Sequence, residues 1–458
     1  MKNLLQSLFR DKKVMILGYG REGKSTFRLL RGYFPELPLA VADKNENLET
    51  ENPELTNARI TLFTGNNYTE NLKDFDIVIK SPGISVFKSG LSQFGSKITS
   101  QTDLFLRCFA PLTTGITGTK GKSTTSSLLY HIINGYTSNT LLAGNIGIPL
   151  FELVESIDDK TRIICEMSSH QLEYISRAPS TSVLLNIFQE HLDHYASYKD
   201  YQLAKFQIAV KQVKNGNFIF NPDDQIIAEL LKEIPIPGNK LPAFTSVFAG
   251  DGAGKSGKNI VLRRGQQEQI LIPANPQTQL AGKHNLRNIT IAAAAARISD
   301  IPAEAIIDGI ATFKPLKHRI EFLGINKNKL FYNDSISTIP EATLAALDTL
   351  QTVHTLILGG FDRDIDYEPF IKKLCKSGVN HIVFTGPAGE RMMKLLSSAN
   401  CHKPVFEMGN GFNDAVKRAI AATPEKCICL LSPAASSYDN FRNFEERGIR
   451  FEEIVMEK

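Results

Sequence analysis

Short apolar runs alternate with stretches of helical periodicity along most of this chain. Val14–Leu17 is apolar throughout and enters a glycine turn; a helical stretch follows, then an apolar run at 39–42 closed by Asp43. Two more runs, 60–63 and 75–79, repeat the pattern. Runs this short and this continuously apolar are what strands buried on both faces require. An apolar stretch with Phe109, Ala110 and Leu112 then leads into residues 115–125, GITGTKGKSTT, and a helical pattern through Leu128, Leu129 and Ile133. Strands are predicted at 162–165 and 182–187, and a helix whose apolar positions include Leu203, Phe206 and Val210. Residues 218–273 read as short strands, with the Gly/Lys-rich 250–258 as an exposed hairpin or loop. Helices follow at 282–298, rich in alanine, and at 303–313. The remainder predicts strands near Leu330 and at 355–358, 381–384 and 427–431. Its helices are predicted at 342–350, 370–376, 390–397 and 414–422. Strand–helix alternation of this kind predicts an α/β protein with mostly parallel, doubly wound sheets.

Length divides that pattern. At 458 residues the chain exceeds one ordinary core and predicts three domains. These are a Rossmann-like domain over 1–108, a central P-loop ATPase-type α/β domain over 109–316, and a C-terminal doubly wound α/β domain over 317–458. A net charge of +4 without a concentrated basic run argues against a nucleic-acid partner. The N-terminal apolar stretch is too short for a signal peptide, and nothing is long enough to span a membrane. A cytoplasmic monomer with structural thiols is the expectation, and none of the six cysteines suggests redox control.

The chemistry concentrates at turns between strands and helices. In 115–125 a glycine-dense turn opens a helix, which suits a polyphosphate. Gly118, Thr119, Lys120 and Gly121 form the cradle, Lys122 reaches the outer phosphates, and Ser123 or Thr124 offers a hydroxyl to magnesium. The match to the usual phosphate-loop spacing is imperfect, since its first glycine falls on Ile116. GAGKS at 252–256 imitates such a loop but lacks the flanking strand and helix. Gly18-Tyr19-Gly20-Arg21-Glu22-Gly23 with Asp43 satisfies the dinucleotide fingerprint, which alone suggests NAD, although the same turn holds any diphosphate. Ser81-Pro82-Gly83 closes a strand at the sheet edge where ligands of parallel sheets bind. Glu166 puts a carboxylate at a strand end beside the phosphate loop. Asn145, Ser168 and Ser169 occupy strand-end turns, where they orient a ligand or merely cap. Asn285 and Asn288 are spaced to share a helix face. Lys205 in isolation reads as a solvated helix lysine.

The ordered segments GTKGKST, EMSSHQLE, NIFQEHLDHY, GKHNLRN, LKHRIEF, YNDS, ILGGFDRD and LLSPAASSYDNFRNFEERG resemble the Mur ligase family of peptidoglycan synthesis over essentially the whole chain. The final segment is closest to the D-glutamate-adding branch. The resemblance implies ATP- and magnesium-dependent addition of glutamate to UDP-N-acetylmuramoyl-L-alanine through an acyl phosphate. It makes Lys122, Glu166, His191 and Lys205 the catalytic set. Ser123, Glu166, His191 and Lys205 as a carbamate would hold two magnesium ions. It adds Asn285, Asn288, Arg319 and Asp334 to the ATP contacts of residues 118–124. It assigns the UDP substrate to Gly18, Tyr19, Gly20, Arg21, Asp43, Ser81, Gly83, Asn145, Ser168 and Gln171. Glutamate falls to Thr338, Arg363, Ser437 and the backbone near Phe444.

One departure bears on stereochemistry. Relatives commonly read NDSKAT where this chain has 333–338 as NDSIST, so Ile336 replaces a lysine near the amino-acid site. The remaining contacts favour D-glutamate, with L-glutamate as the alternative. A folylpolyglutamate synthase-like ligase is more remote, and the SPAASSYDNF segment disfavours it. Two further rivals are an NAD-dependent oxidoreductase and a nucleotide-gated binding protein; both leave Lys122, Glu166 and His191 unexplained.

Overall fold

β1 (Val14–Leu17) has no exposed residue, as a strand covered on both faces requires. In the computed structural model it pairs in parallel with β2 (Leu39–Asp43) and β4 (Ile77–Lys80). β3 (Ile60–Thr64) and β5 (Ile98–Thr99) complete a five-stranded sheet ordered β3-β2-β1-β4-β5. The structure describes residues 1–458 apart from 57–58, 88–90, 147, 191–193, 274–277, 281, 364, 400–403 and 458.

A second sheet is built on β6 (Thr113–Thr117), β7 (Thr140–Gly144), β8 (Arg162–Glu166), β9 (Thr181–Leu184), β10 (Asn217–Phe220), β11 (Asn239–Val247), β12 (Gly252–Ser256), β13 (Asn259–Arg264) and β14 (Gln267–Ile272). Its order is β14-β13-β12-β11-β10-β9-β6-β8-β7, parallel from β7 to β12 and antiparallel beyond. β6 is therefore central, between β8 and β9. The alanine-rich helix Lys283–Ile298 packs against the helix Lys122–Tyr136, with Ala292 to Ala296 fully buried.

The third sheet contains β15 (Glu321–Asn326), β16 (Lys329–Asn333), β17 (Val353–Gly359), β18 (His381–Thr385), β19 (Val405–Met408) and β20 (Ile428–Leu431). It is ordered β15-β16-β20-β17-β18-β19 and only the first pair is antiparallel. The chain forms two compact units, residues 1–279 with 283–313, and residues 280–282 with 314–458. The first holds two sheets and the second holds one. The α/β class with parallel-rich sheets is thus as expected.

Several elements differ from the sequence reading. The strand leading to the phosphate loop is Thr113–Thr117; Phe109 ends a helix, and 110–112 form a 3-10 turn. Gly115 consequently lies inside a strand. The 182–187 run is strand only as far as Leu184. A helix, Gln225–Glu233, interrupts the stretch read as strands. GAGKS is β12, which forms a hairpin with β13 as one of the two expectations had it, but it is partly buried rather than exposed, and a strand there is incompatible with a phosphate loop. β15, β19 and the last helix, Phe444–Val455, were not anticipated. Cys108, Cys165, Cys427 and Cys429 are free, but Cys375 is disulfide-bonded, so the all-thiol reading fails there. Cys401 lies outside the described residues.

Candidate active site

β6 delivers the chain to a turn that only glycine can make. Gly118 has φ +154°, and a Cβ there would lie 2.8 Å from the Leu185 Cβ. Gly121 has φ +86° and precedes the helix Lys122–Tyr136; its Cβ would meet Asn288 Oδ1 at 2.7 Å. The intervening residues are anchored from one side. The Thr119 N–H donates to the Asn186 carbonyl (2.9 Å), and the Lys120 N–H to Asn186 Oδ1 (2.8 Å). Thr119 Oγ1 and the Tyr201 hydroxyl lie 2.8 Å apart. The helix that follows has no capping side chain and no acidic residue in its first turn, which leaves its positive end suited to an anion.

Two lysines converge on this turn. Lys122 Nζ donates to the carbonyls of Gly118 (2.9 Å) and Thr119 (3.0 Å). Lys205 Nζ donates to the same Gly118 carbonyl at 2.9 Å, from a helix, Tyr198–Val210, whose first turn is capped by Ser197. Lys205 is 2% exposed, so the solvated-lysine reading is wrong. Burial, then the nearby Lys122 cation, hold its ammonium well below the usual lysine range. Lys120 pairs with Glu190.

Glu166 ends β8 opposite Ile116 of β6 and is buried. Its Oε1 accepts from Asn145 Nδ2 at 2.8 Å, whereas Oε2 has no hydrogen-bond partner among the described residues. A buried carboxylate oxygen left this way is costly and calls for a partner such as a bound ion or water. An oxygen donor at this strand end fits magnesium, and Ser123 and Thr124 stand in the first turn of the helix that follows the glycine turn. Asn288 donates to Asn285 at 3.2 Å, so the predicted pair is adjacent and lies against Gly121. His191 lies outside the described residues.

On the first sheet, the Gly18 carbonyl accepts the Ser81 hydroxyl at 2.8 Å, joining the glycine turn to the 81–84 turn. Gly18 has φ +90°, and a Cβ on Gly23 would lie 2.0 Å from its carbonyl oxygen. Asp43 accepts the Tyr19 N–H (2.7 Å) and the Asn45 N–H (2.9 Å). Gly18, Tyr19, Asp43 and Ser81 are thus brought together, with Gly20, Arg21 and Gly83 in the same turns. Ser168 and Gln171 form a capping box on the helix Ser169–Leu172. Gln171 Nε2 also donates to Glu22 Oε1 at 2.6 Å. Burial raises the Glu22 carboxyl above the ordinary value. Glu22, Lys80, Glu173, His194, Asn186 and Tyr201 were not singled out beforehand. Their signal is tertiary, apart from the position of Lys80 immediately before Ser81.

The second unit gathers the remaining candidates at strand ends. Arg363 NH2 donates to the Thr338 carbonyl at 3.3 Å. Ser335 Oγ donates to the Phe444 carbonyl at 2.8 Å. Arg447 is buried and donates to Ser335 Oγ and to the Ser335, Ala435 and Ser436 carbonyls, which holds the segment before Ser437. Burial lowers its guanidinium to about 10. Arg319 neighbours Asp334 and lowers its carboxyl, but burial prevails and raises it to about 6. Asp334 accepts from the Ile320 N–H (3.1 Å) and Ser432 Oγ (2.7 Å). A carboxyl raised in the folded state binds its proton more tightly there than in the unfolded chain. Its stabilising share is therefore complete below pH about 4 and is lost as pH rises through about 6. Asp334→Asn should remove this dependence, so wild type should lose on the order of 2 kcal/mol relative to the variant between pH 4 and 7. Thermal melts of both proteins across that range measure it.

A glycine turn after a central parallel strand, two lysines on that turn and a buried carboxylate at the next strand end define a nucleotide-using α/β enzyme. The Mur ligase middle domain matches residues 116–296. A UDP-N-acetylmuramoylalanine–D-glutamate ligase of Desulfitobacterium hafniense is 32% identical over 97% of this chain and 98% of its own. One from Ligilactobacillus salivarius is 31% identical over 98% and 96%. The chain belongs to the Mur ligase family and is an ATP-dependent ligase of peptidoglycan-precursor synthesis. In fold it is similar to a MurF ligase from Thermotoga maritima in complex with ADP, at 16% identity, 97% and 95% coverage and a TM-score of 0.58. It is likewise similar to the UDP-N-acetylmuramate-alanine ligase MurC of Thermotoga maritima, at 15% identity, 97% and 99% coverage and a TM-score of 0.55. The NAD reading is left without support. Among the described residues no helix is long and apolar enough to cross a membrane.

Proposed function

We propose that this enzyme adds D-glutamate to UDP-N-acetylmuramoyl-L-alanine, in the cytoplasm and as a monomer, through an acyl phosphate. The domains would divide the work as 1–108 for the UDP substrate, 109–316 for ATP and 317–458 for glutamate. The observation that carries the chemistry is the convergence of Lys122 and Lys205 on one glycine turn, with a Glu166 oxygen that lacks a hydrogen-bond partner among the described residues at the adjoining strand end. The names and near-complete coverage of its relatives support the substrates.

The alanyl carboxylate attacks the γ-phosphorus of ATP, and the bond to ADP breaks. The glutamate amine, uncharged, then attacks the acyl carbon and phosphate leaves. Lys122 turns from the loop carbonyls to the phosphates and neutralises charge as the phosphoryl group moves. Magnesium, when bound, supplies charge neutralisation across the phosphate oxygens. Glu166 with Ser123 or Thr124 would hold one ion, and His191 with a Lys205 carbamate a second. Gly118 to Gly121 cradle the phosphates, and Asn285, Asn288, Arg319 and Asp334 serve the nucleoside and ribose side. Gly18 to Arg21, Asp43, Ser81, Gly83 and Asn145 bind the UDP substrate, with Ser168 and Gln171 shaping its path. Arg363 grips one glutamate carboxylate, Ser437 and the Phe444 backbone the other, and Thr338 contacts the same substrate.

L-glutamate is the second reading, because Ile336 removes a cation from the amino-acid pocket. ADP release with each pure enantiomer separates the two. D-glutamate should support turnover at least about tenfold faster, the discrimination expected when one carboxylate anchor is misplaced. Turnover with L-glutamate alone overturns the assignment.

A further inference from the structure

Lys80 closes β4 with a side chain only 1% exposed. Its ammonium donates to the carbonyls of Ser81 (3.2 Å) and Ile84 (2.8 Å), which tightens the 81–84 turn. It also lies 3.3 Å from Glu173 Oε2, on a side chain 8% exposed. Glu173 follows the helix Ser169–Leu172, in the connection between β8 and β9 of the second sheet. Its other oxygen is 2.8 Å from His194 Nε2. The His194 carbonyl accepts the Ser85 hydroxyl, and its ring packs on His170 with 3.8 Å between centroids. The contacts close a ring: Lys80, Glu173, His194, Ser85 and back through the turn to Lys80. Its two sides come from connections of different sheets of one compact unit.

Stability alone gives little reason for such a ring. Burying a lysine and a glutamate costs desolvation that their attraction barely offsets, and an apolar pair of similar volume is commonly as stable. What an ionic ring provides is direction, since each group has few orientations that satisfy it. Its ends are well chosen for that. One is the turn carrying Ser81 and Gly83, and the other is a residue three positions after His191.

We propose that Glu173 is a positioning residue of the ligation. It clamps Lys80 to His194 and thereby holds the UDP-substrate turn in register with the phosphate turn, so that the acceptor carboxylate meets the γ-phosphate. Glu173 touches neither substrate; it acts through the 81–85 turn. The inference rests on the function proposed above and adds residues to which that reading gives no part.

The test is steady-state kinetics of the full chain, with separate constants for UDP-N-acetylmuramoyl-L-alanine, ATP and glutamate, alongside melting temperature. Glu173→Gln keeps the shape but removes the charge facing Lys80. It should raise KM for the UDP substrate, or lower kcat, by about ten- to a hundredfold, the range expected of a reacting group displaced by a fraction of an ångström. KM for ATP should stay within about twofold, because the phosphate turn is anchored independently by Asn186 and Tyr201. Ser85→Ala removes one hydrogen bond of the ring without burying anything new. It should move the same constant about fivefold, the worth of a single hydrogen bond. Adding Lys80→Met to Glu173→Gln should cost little more, as expected for two members of one device. Should Glu173→Gln fail to fold, Ser85→Ala still decides. ATP and UDP-substrate constants moving together, or melting temperature moving alone, would reduce the ring to a structural tie and overturn the proposal. A wild type that ligates beside kinetically unchanged variants overturns the clamp only. A wild type that releases no ADP with UDP-N-acetylmuramoyl-L-alanine and glutamate overturns the functional reading and the clamp with it.

Discussion

Lys122→Ala should lower ADP release at saturating ATP by about 10²–10³-fold, the loss typical when one fixed charge-stabilising donor leaves a transition state. The ammonium rests 2.9 Å and 3.0 Å from the Gly118 and Thr119 carbonyls, so it is held at the turn by contacts that a polyphosphate would replace. Exchanging carbonyl acceptors for phosphate oxygens strengthens those bonds, because both partners are then charged. Alanine removes the cation without disturbing the fold of the turn. The turn loses the two carbonyl contacts of Lys122 but keeps the Asn186 and Tyr201 contacts that fix Thr119 and Lys120, and the glycine geometry at Gly118 and Gly121. Binding of the UDP substrate should therefore be unchanged, since the 18–23 turn belongs to another sheet. Coupled ADP-release kinetics, with calorimetric titration of the UDP substrate, measure both. A variant retaining more than about a tenth of wild-type turnover would remove Lys122 from the mechanism.

How much of this was legible beforehand depended on whether the signal was local. β1 was read to the residue, because a four-residue apolar run ending in glycine has few alternatives. The phosphate turn was found although its strand was misplaced. Thr113–Thr117 is mostly threonine and glycine, so it looked like part of a loop, while the apolar Phe109 and Leu112 before it pack against the core from a helix end and a 3-10 turn. Gln225–Glu233 was lost because Ile227 and Leu230 alone are buried, within a run of mixed period. The last helix was hidden by its charges. FEERGIRFEEIV reads as solvated, yet Arg447 is among its buried residues and binds the loops around Ser335 and Ser436.

Site residues divide along the same line. Glycines, Lys122 and Glu166 occur at turns whose chemistry is written in neighbouring residues. Lys80, Glu173 and His194 are linked across separations that no local pattern reports. Lys205 lay between these cases: only the family resemblance distinguished it, and its burial could not be inferred from a helix whose apolar face is poorly defined.

Lys205→Ala should be nearly inactive, by about 10²-fold or more as for removal of any fixed electrostatic group at the phosphates, and a short carboxylate such as acetate or formate should restore part of the activity. The proposal is that carbon dioxide adds to the Lys205 amine, the nitrogen losing a proton, to give a carbamate. That addition needs a neutral amine, and the site favours one: burial first, then the Lys122 and Lys120 cations, push the ammonium well below its ordinary range, against the opposing pull of Glu190 and Glu166. The amine is also fixed, donating to Gly118 at 2.9 Å and lying 5.0 Å from the centre of the Tyr201 ring. Unmodified, it offers no oxygen to a cation, and in its protonated form it would add a second charge beside Lys122 and repel magnesium. As a carbamate it would offer oxygen donors to a cation, as would Glu166 Oε2, which has no hydrogen-bond partner among the described residues. Because the modification needs carbon dioxide, activity of protein prepared in degassed, carbonate-free buffer should fall and return on adding bicarbonate. The rescue separates a carbamate from a plain cation. If acetate and formate leave Lys205→Ala inactive while Lys205→Arg restores it, the group works by its positive charge and the carbamate is wrong.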